Sequence, residues 1–380
     1  MNCKRSIDLH KKFGGKLEIK SKIKIKTKED LSLAYTPCVA EVCSLIAKNK
    51  KLAKKYTIKK NTVAVVTDGS AVLGLGNIGA EAAIPVMEGK AILFKELASV
   101  DAFPICLSTQ DPDEIISIVK NISPVFGGIN LEDISAPNCF YIEDKLQDIG
   151  IPVMHDDQHG TAIVVVAALI NALKVLQKDV KKVKVVVVGA GAAGIAITKM
   201  ISDELQVQDI IVCDSKGIIS KNRKDLNPIK EKLLFTTNKN NLSGTMQDAL
   251  VGADVFIGVS TGDILNAEMI RTMGSDSIVF AMANPIPEIM PDEAKKGGAA
   301  IVGTGRSDFP NQINNVLAFP GIFRGLLDSD ATKVTSEIKI NAARALADYV
   351  KNPTPENILP DPLDRGVAKV IAESITKLQN

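Results

Sequence analysis

A run of valines that ends in closely spaced glycines constrains the fold more than any other feature of the chain. The predicted strand Lys184–Val188 leads directly into the loop Gly189-Ala190-Gly191-Ala192-Ala193-Gly194. A helix is predicted to start at Ala192, and the next strand is predicted to end at Asp214. This order is typical of a βαβ unit whose helix N-terminus binds a pyrophosphate. The sequence therefore predicts a doubly wound domain with a dinucleotide site.

A second string with the same glycine spacing lacks this context. Gly74-Leu75-Gly76-Asn77-Ile78-Gly79 begins after the predicted strand Val63–Thr67 has already ended at Asp68, and no acid follows at the expected distance. We expect the glycines of this string to shape a turn for close packing. The predicted contacts to the dinucleotide are Gly189, Ala190, Gly191, Ala192, Ala193, Gly194 and Asp214.

The rest of the chain predicts two α/β domains. Its 380 residues are many for one core, and short β-branched runs alternate with helical segments from Thr62 onward. We predict an N-terminal α/β domain with a parallel sheet, residues 1–158, and a C-terminal Rossmann-like domain with terminal helices, residues 159–380. The longest predicted helix, Thr161–Leu176, is apolar enough to be buried. The predicted strands are Val63–Thr67, Ala102–Leu107, Phe126–Leu131, Pro152–Met154, Val185–Val188, Ile210–Cys213, Val255–Ile257, Ile278–Met282 and Ala300–Val302.

The composition is typical of a globular cytoplasmic protein. Apolar residues make up 46% of the chain and charged residues 24%. No apolar run is expected to cross a bilayer, and the first residues do not have the pattern of an export signal. The six cysteines include no CxxC pair, so neither a zinc ribbon nor a disulfide framework is predicted. We expect reduced thiols and no membrane partner.

The N-terminal end is strongly basic. Residues 1–60 contain 17 Lys or Arg and 5 Asp or Glu, a bias that can mark a nucleic-acid arm. However, Leu17–Lys26 alternates apolar and charged residues, which favours an edge strand with one solvated face. Aromatic residues for base stacking are scarce in this stretch. We expect an edge strand, no nucleic-acid partner, and a field that can attract a small anion.

Paired acids follow two neighbouring strands of the first domain. Glu132-Asp133 and Asp156-Asp157 come at the predicted strand ends, which parallel strands bring to one rim of the sheet. Crowded carboxylates favour a hard divalent cation, Mg²⁺ or Mn²⁺. We predict Glu132, Asp133 and Asp157 as ligands, and expect Asp156 to cap the next helix or face water. The spacing of His155 and His159 does not predict zinc, because no Glu follows His155.

At this point the residues resemble a known family, the short-form malic enzymes. The likeness extends from about residue 10 nearly to the C terminus. It implies oxidative decarboxylation of L-malate to pyruvate and CO₂ by a homodimer, with NAD or NADP and a divalent metal. The strings that carry it are Ser32–Pro37, Thr67–Gly69, Gly74–Gly79, Pro85–Lys90, Leu131–Asp133 and His155–Ala162.

The resemblance also implies roles for individual residues. Lys90 matches the general base, which requires a pKa lowered by burial beside a metal cation. Tyr35 matches the general acid, and Glu132, Asp133 and Asp157 match the metal ligands. Lys90, Asn284 and Asn315 match positions that meet substrate, and Asn284 also meets the nicotinamide. The departures from the family pattern are Cys38 for a common glycine, Ala80 for a common proline, and Ala71, where larger members have a carboxylate-binding arginine.

Two further hypotheses remain open from the sequence. One is a metal-independent amino-acid dehydrogenase of the glutamate type, and the other is a dinucleotide-binding regulatory protein without catalysis. The choice between NAD and NADP is also open. Asp214 disfavours a 2′-phosphate, but Lys216, Lys221 and Arg223 follow it.

Overall fold

The first of two sheets in the molecule is fully parallel. A computed structural model describes residues 4–72, 74–329 and 331–379 of the chain. The sheet has the strand order β2-β1-β3-β4, so the direction of winding reverses between β1 and β3. The four predicted strands are confirmed, and the carboxyl ends beside this reversal are where a ligand is expected. The strands are β1 (Thr62–Thr67), β2 (Asp101–Cys106), β3 (Gly128–Leu131) and β4 (Val153–His155).

Seven helices of the described chain belong to this half. The first four form an N-terminal arm in which no residue of a helix is buried. Each of the next three connects two consecutive strands along the chain, and the long fifth helix packs against β1 and β2. The helices are α1 (Lys4–Phe13), α2 (Lys28–Ala34), α3 (Val39–Lys48), α4 (Leu52–Tyr56), α5 (Gly79–Ala98), α6 (Pro112–Ile122) and α7 (Asn138–Leu146).

The predicted edge strand at Leu17–Lys26 is wrong. These residues are irregular and form no ladder with any other described residue. The preceding residue, Lys16, attaches this segment to α5. Its Nζ donates to the Pro85 carbonyl at 2.6 Å, and its backbone N–H donates to Glu88 Oε2 at 3.2 Å. An alternating pattern shows that one face can be solvated, but a strand also needs an unpaired sheet edge beside it.

The helix α8 (Asp156–Val175) joins the two halves. It starts directly after β4, five residues before the predicted Thr161, and most of its side chains are buried as expected. Asp156 and Asp157 therefore lie in its first turn instead of in a loop. The predicted domain division after residue 158 falls within this first turn.

The second sheet has the strand order β10-β9-β8-β5-β6-β7. The five predicted strands are confirmed and run parallel, and a two-residue strand that the sequence did not reveal pairs antiparallel with β6. Winding reverses between β5 and β8, which opens a crevice at the carboxyl end of β5. The strands are β5 (Lys184–Val188), β6 (Asp209–Asp214), β7 (Gly217–Ile218), β8 (Val255–Gly258), β9 (Ser277–Ala281) and β10 (Ala299–Thr304).

A helix near the C terminus, residues 319–328, packs against the first half of the molecule. The rings of Phe319 and Phe323 meet Phe94 of α5 edge-on, with centroids 4.7 and 5.4 Å apart. One hydrophobic core therefore extends from the first sheet through α8 into the second. The helices are α9 (Ala192–Glu204), α10 (Pro228–Leu233), α11 (Met246–Leu250), α12 (Ala267–Arg271), α13 (Pro291–Lys296), α14 (Phe319–Asp328), α15 (Ser336–Tyr349) and α16 (Arg365–Gln379).

Two segments are long and apolar enough to cross a bilayer by length and composition alone, so the expectation that none would be is wrong. Asp156–Val175 is α8, and 72% of its apolar window is buried inside the molecule, as in the core helix of a globular protein. Lys28–Lys48 has no buried residue and comprises α2 and α3, which are separated by a break at residues 35–38.

The cysteines agree with the expectation of free thiols. Cys38, Cys43, Cys106, Cys139 and Cys213 form no disulfide, and Cys3 lies outside the described residues.

Candidate active site

The glycine loop after β5 leaves open space in front of a helix N-terminus. A Cβ on Gly194 would overlap the carbonyl oxygen of Gly189, whereas a Cβ on Gly191 would meet nothing within 4 Å. Gly191 is the N-cap of α9 and has no side chain to cap the first amides. These amides can therefore bond to an anion in the crevice, and no side chain blocks its approach. This geometry can accept a pyrophosphate.

The acid that ends β6 lies next to this loop. The Gly189 N–H donates to the Cys213 carbonyl at 2.9 Å, which places Asp214 at the crevice. Arg223 donates to both carboxylate oxygens of Asp214 at 2.7 and 3.1 Å, and Lys230 Nζ donates to one at 2.6 Å. Burial alone would raise the pKa of Asp214, but these hydrogen bonds outweigh it and lower the pKa to about 2. Lys230, on α10, had no signal in the sequence.

Three predicted metal ligands meet at the rim of the first sheet. Carboxylate oxygens of Glu132, Asp133 and Asp157 all lie within 4.8 Å of one another. Asp133 adopts a φ of 52°, and its backbone N–H donates to Asp157 Oδ2 at 2.8 Å. Asp133 Oδ2 is buried without a hydrogen-bond partner among the described residues. An unpaired buried oxygen amid converging carboxylates fits a hard divalent cation.

The electrostatics of these acids also favour a cation. Burial, together with the charges of Asp157 and Glu132, raises the pKa of Asp133 to about 9. Burial raises the pKa of Glu132 to about 7 and that of Asp157 to about 6, although Lys90 opposes both shifts. Ionising all three groups together is therefore unfavourable unless a positive charge joins them.

Lys90 lies at the edge of this cluster, on α5. Its Nζ is 2.8 Å from Glu132 Oε1 and 2.6 Å from Asp156 Oδ2, and it lies 4.2 Å from the ring centroid of Phe319. Burial alone would lower the pKa of Lys90, but the charges of Asp156 and Glu132 raise it far above its ordinary value. The lowered pKa that we expected is therefore not a property of these protein groups by themselves. Without a cation among the acids, Lys90 is an ammonium.

Asp156 corrects a prediction. It was expected to cap α8 or to face water, but it is fully buried, and its carboxylate bonds to Lys90. The N-cap residue of α8 is His155, which makes no side-chain cap. Burial raises the pKa of Asp156 to about 7 despite the opposing charge of Lys90. This pair could not be predicted from the sequence, because the two residues are 66 positions apart.

A buried glutamate that sequence reasoning missed holds the start of α8. Glu143 of α7 accepts from the backbone N–H of His155 at 2.9 Å and from Gln158 Nε2 at 3.3 Å. Its Oε2 also lies 2.9 Å from His159 Nε2, and the other ring nitrogen of His159 lies 3.3 Å from Lys339 Nζ of α15. His159 therefore supports the segment that carries Asp156 and Asp157.

Asn284 and Asn315 lie where the two halves meet. A Cβ on Gly74 would lie 3.2 Å from the Asn284 carbonyl oxygen, so the string Gly74–Gly79 packs against the loop after β9. This confirms that Gly74 shapes a closely packed turn. A Cβ on Gly160, one turn into α8, would lie 3.2 Å from the Cβ of Asn315. Asn284 is thus near the Gly74 string of the first half, and Asn315 is near the start of α8, which carries Asp156 and Asp157.

Tyr35 is not brought to the cluster within the chain. It follows the last turn of α2, its side chain is 68% exposed, and it makes no hydrogen bond to any side chain of the described residues. The structure therefore groups Lys90, Glu132, Asp133, Asp156 and Asp157, and leaves Tyr35 on the arm.

Comparison with known families accounts for both halves. The family model "Malic enzyme, N-terminal domain" matches residues 14–147, and "Malic enzyme, NAD binding domain" matches residues 158–379. The chain belongs to the malic enzyme family. The predicted malic enzyme with two α/β domains is thereby confirmed, and the two alternative hypotheses are not supported.

Malic enzymes from several organisms are similar to the whole chain. The bifunctional malic/malolactic enzyme of Bacillus subtilis is 55% identical over 98% of this chain and 92% of its own length. The NADP-dependent malic enzyme of Salmonella typhimurium is 44% identical over 98% of this chain and 51% of its own length. The crystal structure of the NAD-dependent malic enzyme of Thermotoga maritima is 48% identical, with a TM-score of 0.95 and 98% of both chains covered. Relatives with either dinucleotide thus share this malic enzyme fold.

Proposed function

We propose that this malic enzyme converts L-malate to pyruvate and CO₂ with reduction of NAD or NADP, at the cluster formed by Lys90 and the strand-end acids. The observation that carries the proposal is the placement of Lys90 Nζ, 2.6 Å from Asp156 and 2.8 Å from Glu132. Lys90 as the proton acceptor, Asp156 as its proton partner and Glu132 as a metal ligand are therefore in direct contact within one buried cluster. We retain residues 1–158 as the substrate and metal domain and 159–380 as the dinucleotide domain.

Two bound groups complete the site. Glu132, Asp133 and Asp157 would hold Mg²⁺ or Mn²⁺, since their oxygens converge and Asp133 Oδ2 has no other partner. The loop Gly189–Gly194 and Asn284 would hold the dinucleotide, and Asp214 would lie beside its adenosine ribose. When bound, the cation polarises the C1 carboxylate and C2 oxygen of malate, and the oxidised nicotinamide accepts the C2 hydride.

Lys90 is assigned the proton of the C2 hydroxyl. A positive charge among the carboxylates weakens their hold on the ammonium, so the pKa of Lys90 falls when the cation binds. Asp156, whose Oδ2 lies 2.6 Å from Lys90 Nζ, is placed to accept the ammonium proton. Neutral Lys90 accepts the hydroxyl proton as the hydride leaves C2. Lys90, Asn284 and Asn315 hold the substrate in this orientation.

Tyr35 is assigned the second proton transfer. After oxidation at C2, the C3–C4 bond breaks, CO₂ leaves, and its bonding electrons form the enolate of pyruvate. The Tyr35 hydroxyl gives a proton to C3, which completes pyruvate. Because Tyr35 is exposed on the arm, this role needs a contact that the isolated chain does not make.

A homodimer would supply that contact. The helices α1–α4 have no buried residue, and they expose the large apolar side chains of Ile7, Phe13 and Leu33, which a second copy would remove from water. A second copy that covers this face also orders Tyr35. We place the enzyme in the cytoplasm, without a nucleic-acid or membrane partner.

The test is a malate assay with Mn²⁺ and each dinucleotide, scored for pyruvate. Turnover should stop in EDTA and return with Mn²⁺ or Mg²⁺. Asp157→Ala should raise the Mn²⁺ concentration needed for half-maximal rate at least about tenfold, whereas Asp148→Ala, an exposed acid, should not. Turnover that resists EDTA, or an unchanged metal titration for Asp157→Ala, would overturn the proposal.

A further inference from the structure

The carboxylate of Asp214 has no free position left for a ribose hydroxyl. An ionised carboxylate offers about four acceptor positions on its two oxygens. Oδ1 accepts from Arg223 Nη1 at 2.7 Å and from the Lys216 backbone N–H at 2.9 Å. Oδ2 accepts from Arg223 Nη2 at 3.1 Å and from Lys230 Nζ at 2.6 Å. A 2′-hydroxyl could bond to Asp214 only by displacing one of these donors.

Cations outnumber acids in the network around Asp214. Arg223 also donates to Asp225, from Nε at 2.9 Å and from Nη2 at 2.8 Å. Lys216 Nζ lies 2.8 Å from the same carboxylate. Lys216, Arg223 and Lys230 carry three positive charges against two carboxylates, so the network is positive by one charge. A network with a net positive charge attracts a phosphate, whereas a single unpaired carboxylate would repel it.

The network is held firmly beside the glycine loop. The side chains of Asp214, Arg223 and Lys230 are 8, 14 and 23% exposed, so their charges are less screened than surface charges. In a doubly wound domain the adenosine ribose lies beyond the carboxyl end of this second strand. Arg223 and Lys230 therefore stand where a 2′-phosphate would lie.

We propose that Arg223 and Lys230 form a 2′-phosphate site, and that this malic enzyme binds NADP at least as tightly as NAD. The inference rests on the proposed dinucleotide site and adds the choice between the two cofactors. A phosphate can take the place of the Asp225 carboxylate at the Nε–Nη2 edge of the Arg223 guanidinium, while Nη1 and Nη2 keep their bonds to Asp214. Lys230 adds a point charge on the other side.

The test measures binding of NADPH and NADH by fluorescence titration, without malate or metal. The unmodified protein should bind NADPH at least as tightly as NADH, and added NaCl should weaken NADPH binding more steeply. Arg223→Gln and Lys230→Gln should each weaken NADPH binding about tenfold and NADH binding less than about threefold. Lys224→Gln, an exposed neighbour, is the matched control and should change neither. Arg223→Lys keeps the positive charge but removes the paired donors of the guanidinium. A thermal melt of this variant shows whether weaker NADPH binding comes from loss of those donors or from unfolding.

Each outcome decides the inference. NADH bound more than about tenfold tighter than NADPH, or equal weakening of both by Arg223→Gln and Lys230→Gln in folded variants, overturns it. Failure to bind either dinucleotide overturns both the inference and the dinucleotide part of the proposed function. Preferential NADPH binding without malate turnover supports the inference and overturns the proposed chemistry.

Discussion

At the scale of single residues, Lys90 is defined by its partners. The Lys90 side chain of α5 is a buried ammonium, because α14 places Phe319 over it and α8 places Asp156 beside it. The raised pKa of Lys90 describes the site without a bound cation. In the proposed mechanism, cation binding would make Lys90 a base and would couple metal loading to proton transfer.

Replacing Lys90 should stop catalysis without preventing dinucleotide binding. Lys90→Ala removes the proton acceptor, and we expect the malate oxidation rate to fall by at least about 10³-fold. NADH binding should be unchanged, since the glycine loop lies on the other sheet. Lys95→Ala, on the exposed side of the same helix and paired with Asp101, is the control and should keep normal turnover. Near-normal turnover of Lys90→Ala would rule out its role as base.

The acids of the cluster predict how stability depends on pH. Folding raises the pKa of Asp157, Glu132 and Asp133 to about 6, 7 and 9, so the folded chain keeps protons that the unfolded chain loses. Their contribution to stability is full at low pH and is lost as pH rises through these values. In EDTA, the unfolding midpoint should therefore fall between pH 6 and 9, and Mn²⁺ should suppress the fall.

Asp133→Asn tests the same point, since it removes the acid with the highest pKa. In EDTA its unfolding midpoint should fall less over this pH range than that of the unmodified protein. An equal fall in both proteins, measured by differential scanning fluorimetry, would show that other groups cause the pH dependence.

At the scale of elements, the start of α8 is positioned by α7. Glu143 bonds to three of the first residues around this helix start, His155, Gln158 and His159, and reaches none of the metal ligands. It acts through the segment that carries Asp156 and Asp157 and is a positioning residue. Its loss would leave buried donors unpaired and let the first turn shift.

Glu143→Gln should weaken metal binding and leave dinucleotide binding intact. We expect the Mn²⁺ concentration for half-maximal rate to rise about 10- to 100-fold, with saturating Mn²⁺ restoring most of kcat. Asp144→Asn, exposed on the same helix, is the control. A loss of kcat that saturating Mn²⁺ does not restore would contradict a positioning role through the metal site.

The elements also show what the sequence could predict. Strands of Val and Ile that end in glycines or acids were predicted well, because burial on both faces and turn chemistry are local signals. The Lys90–Asp156 pair and the Lys230–Asp214 pair were not predicted, because residues 66 and 16 positions apart meet only in the fold. The edge strand at Leu17–Lys26 failed for a related reason, since a strand depends on a distant partner.

At the scale of the whole molecule, the proposed homodimer can be tested on the N-terminal arm, where a second copy would cover exposed apolar side chains. Leu33, two residues before Tyr35, is 64% exposed. Leu33→Asp should place a charge in the proposed interface, shift the protein from dimer to monomer in analytical ultracentrifugation, and lower turnover. Leu363→Asp, which changes a leucine outside the arm that is 75% exposed, should do neither. A protein that sediments as a 40.6 kDa monomer with full activity would refute the dimer.

We propose that one site both oxidises malate and removes its C4 carboxyl group. The most direct measurement is the product balance of a single incubation with L-malate, Mn²⁺ and NADP. We predict that pyruvate, CO₂ and NADPH form in equal amounts, and that oxaloacetate does not accumulate. NADPH formed with oxaloacetate and no pyruvate, or no reduction with either NADP or NAD, would contradict this account.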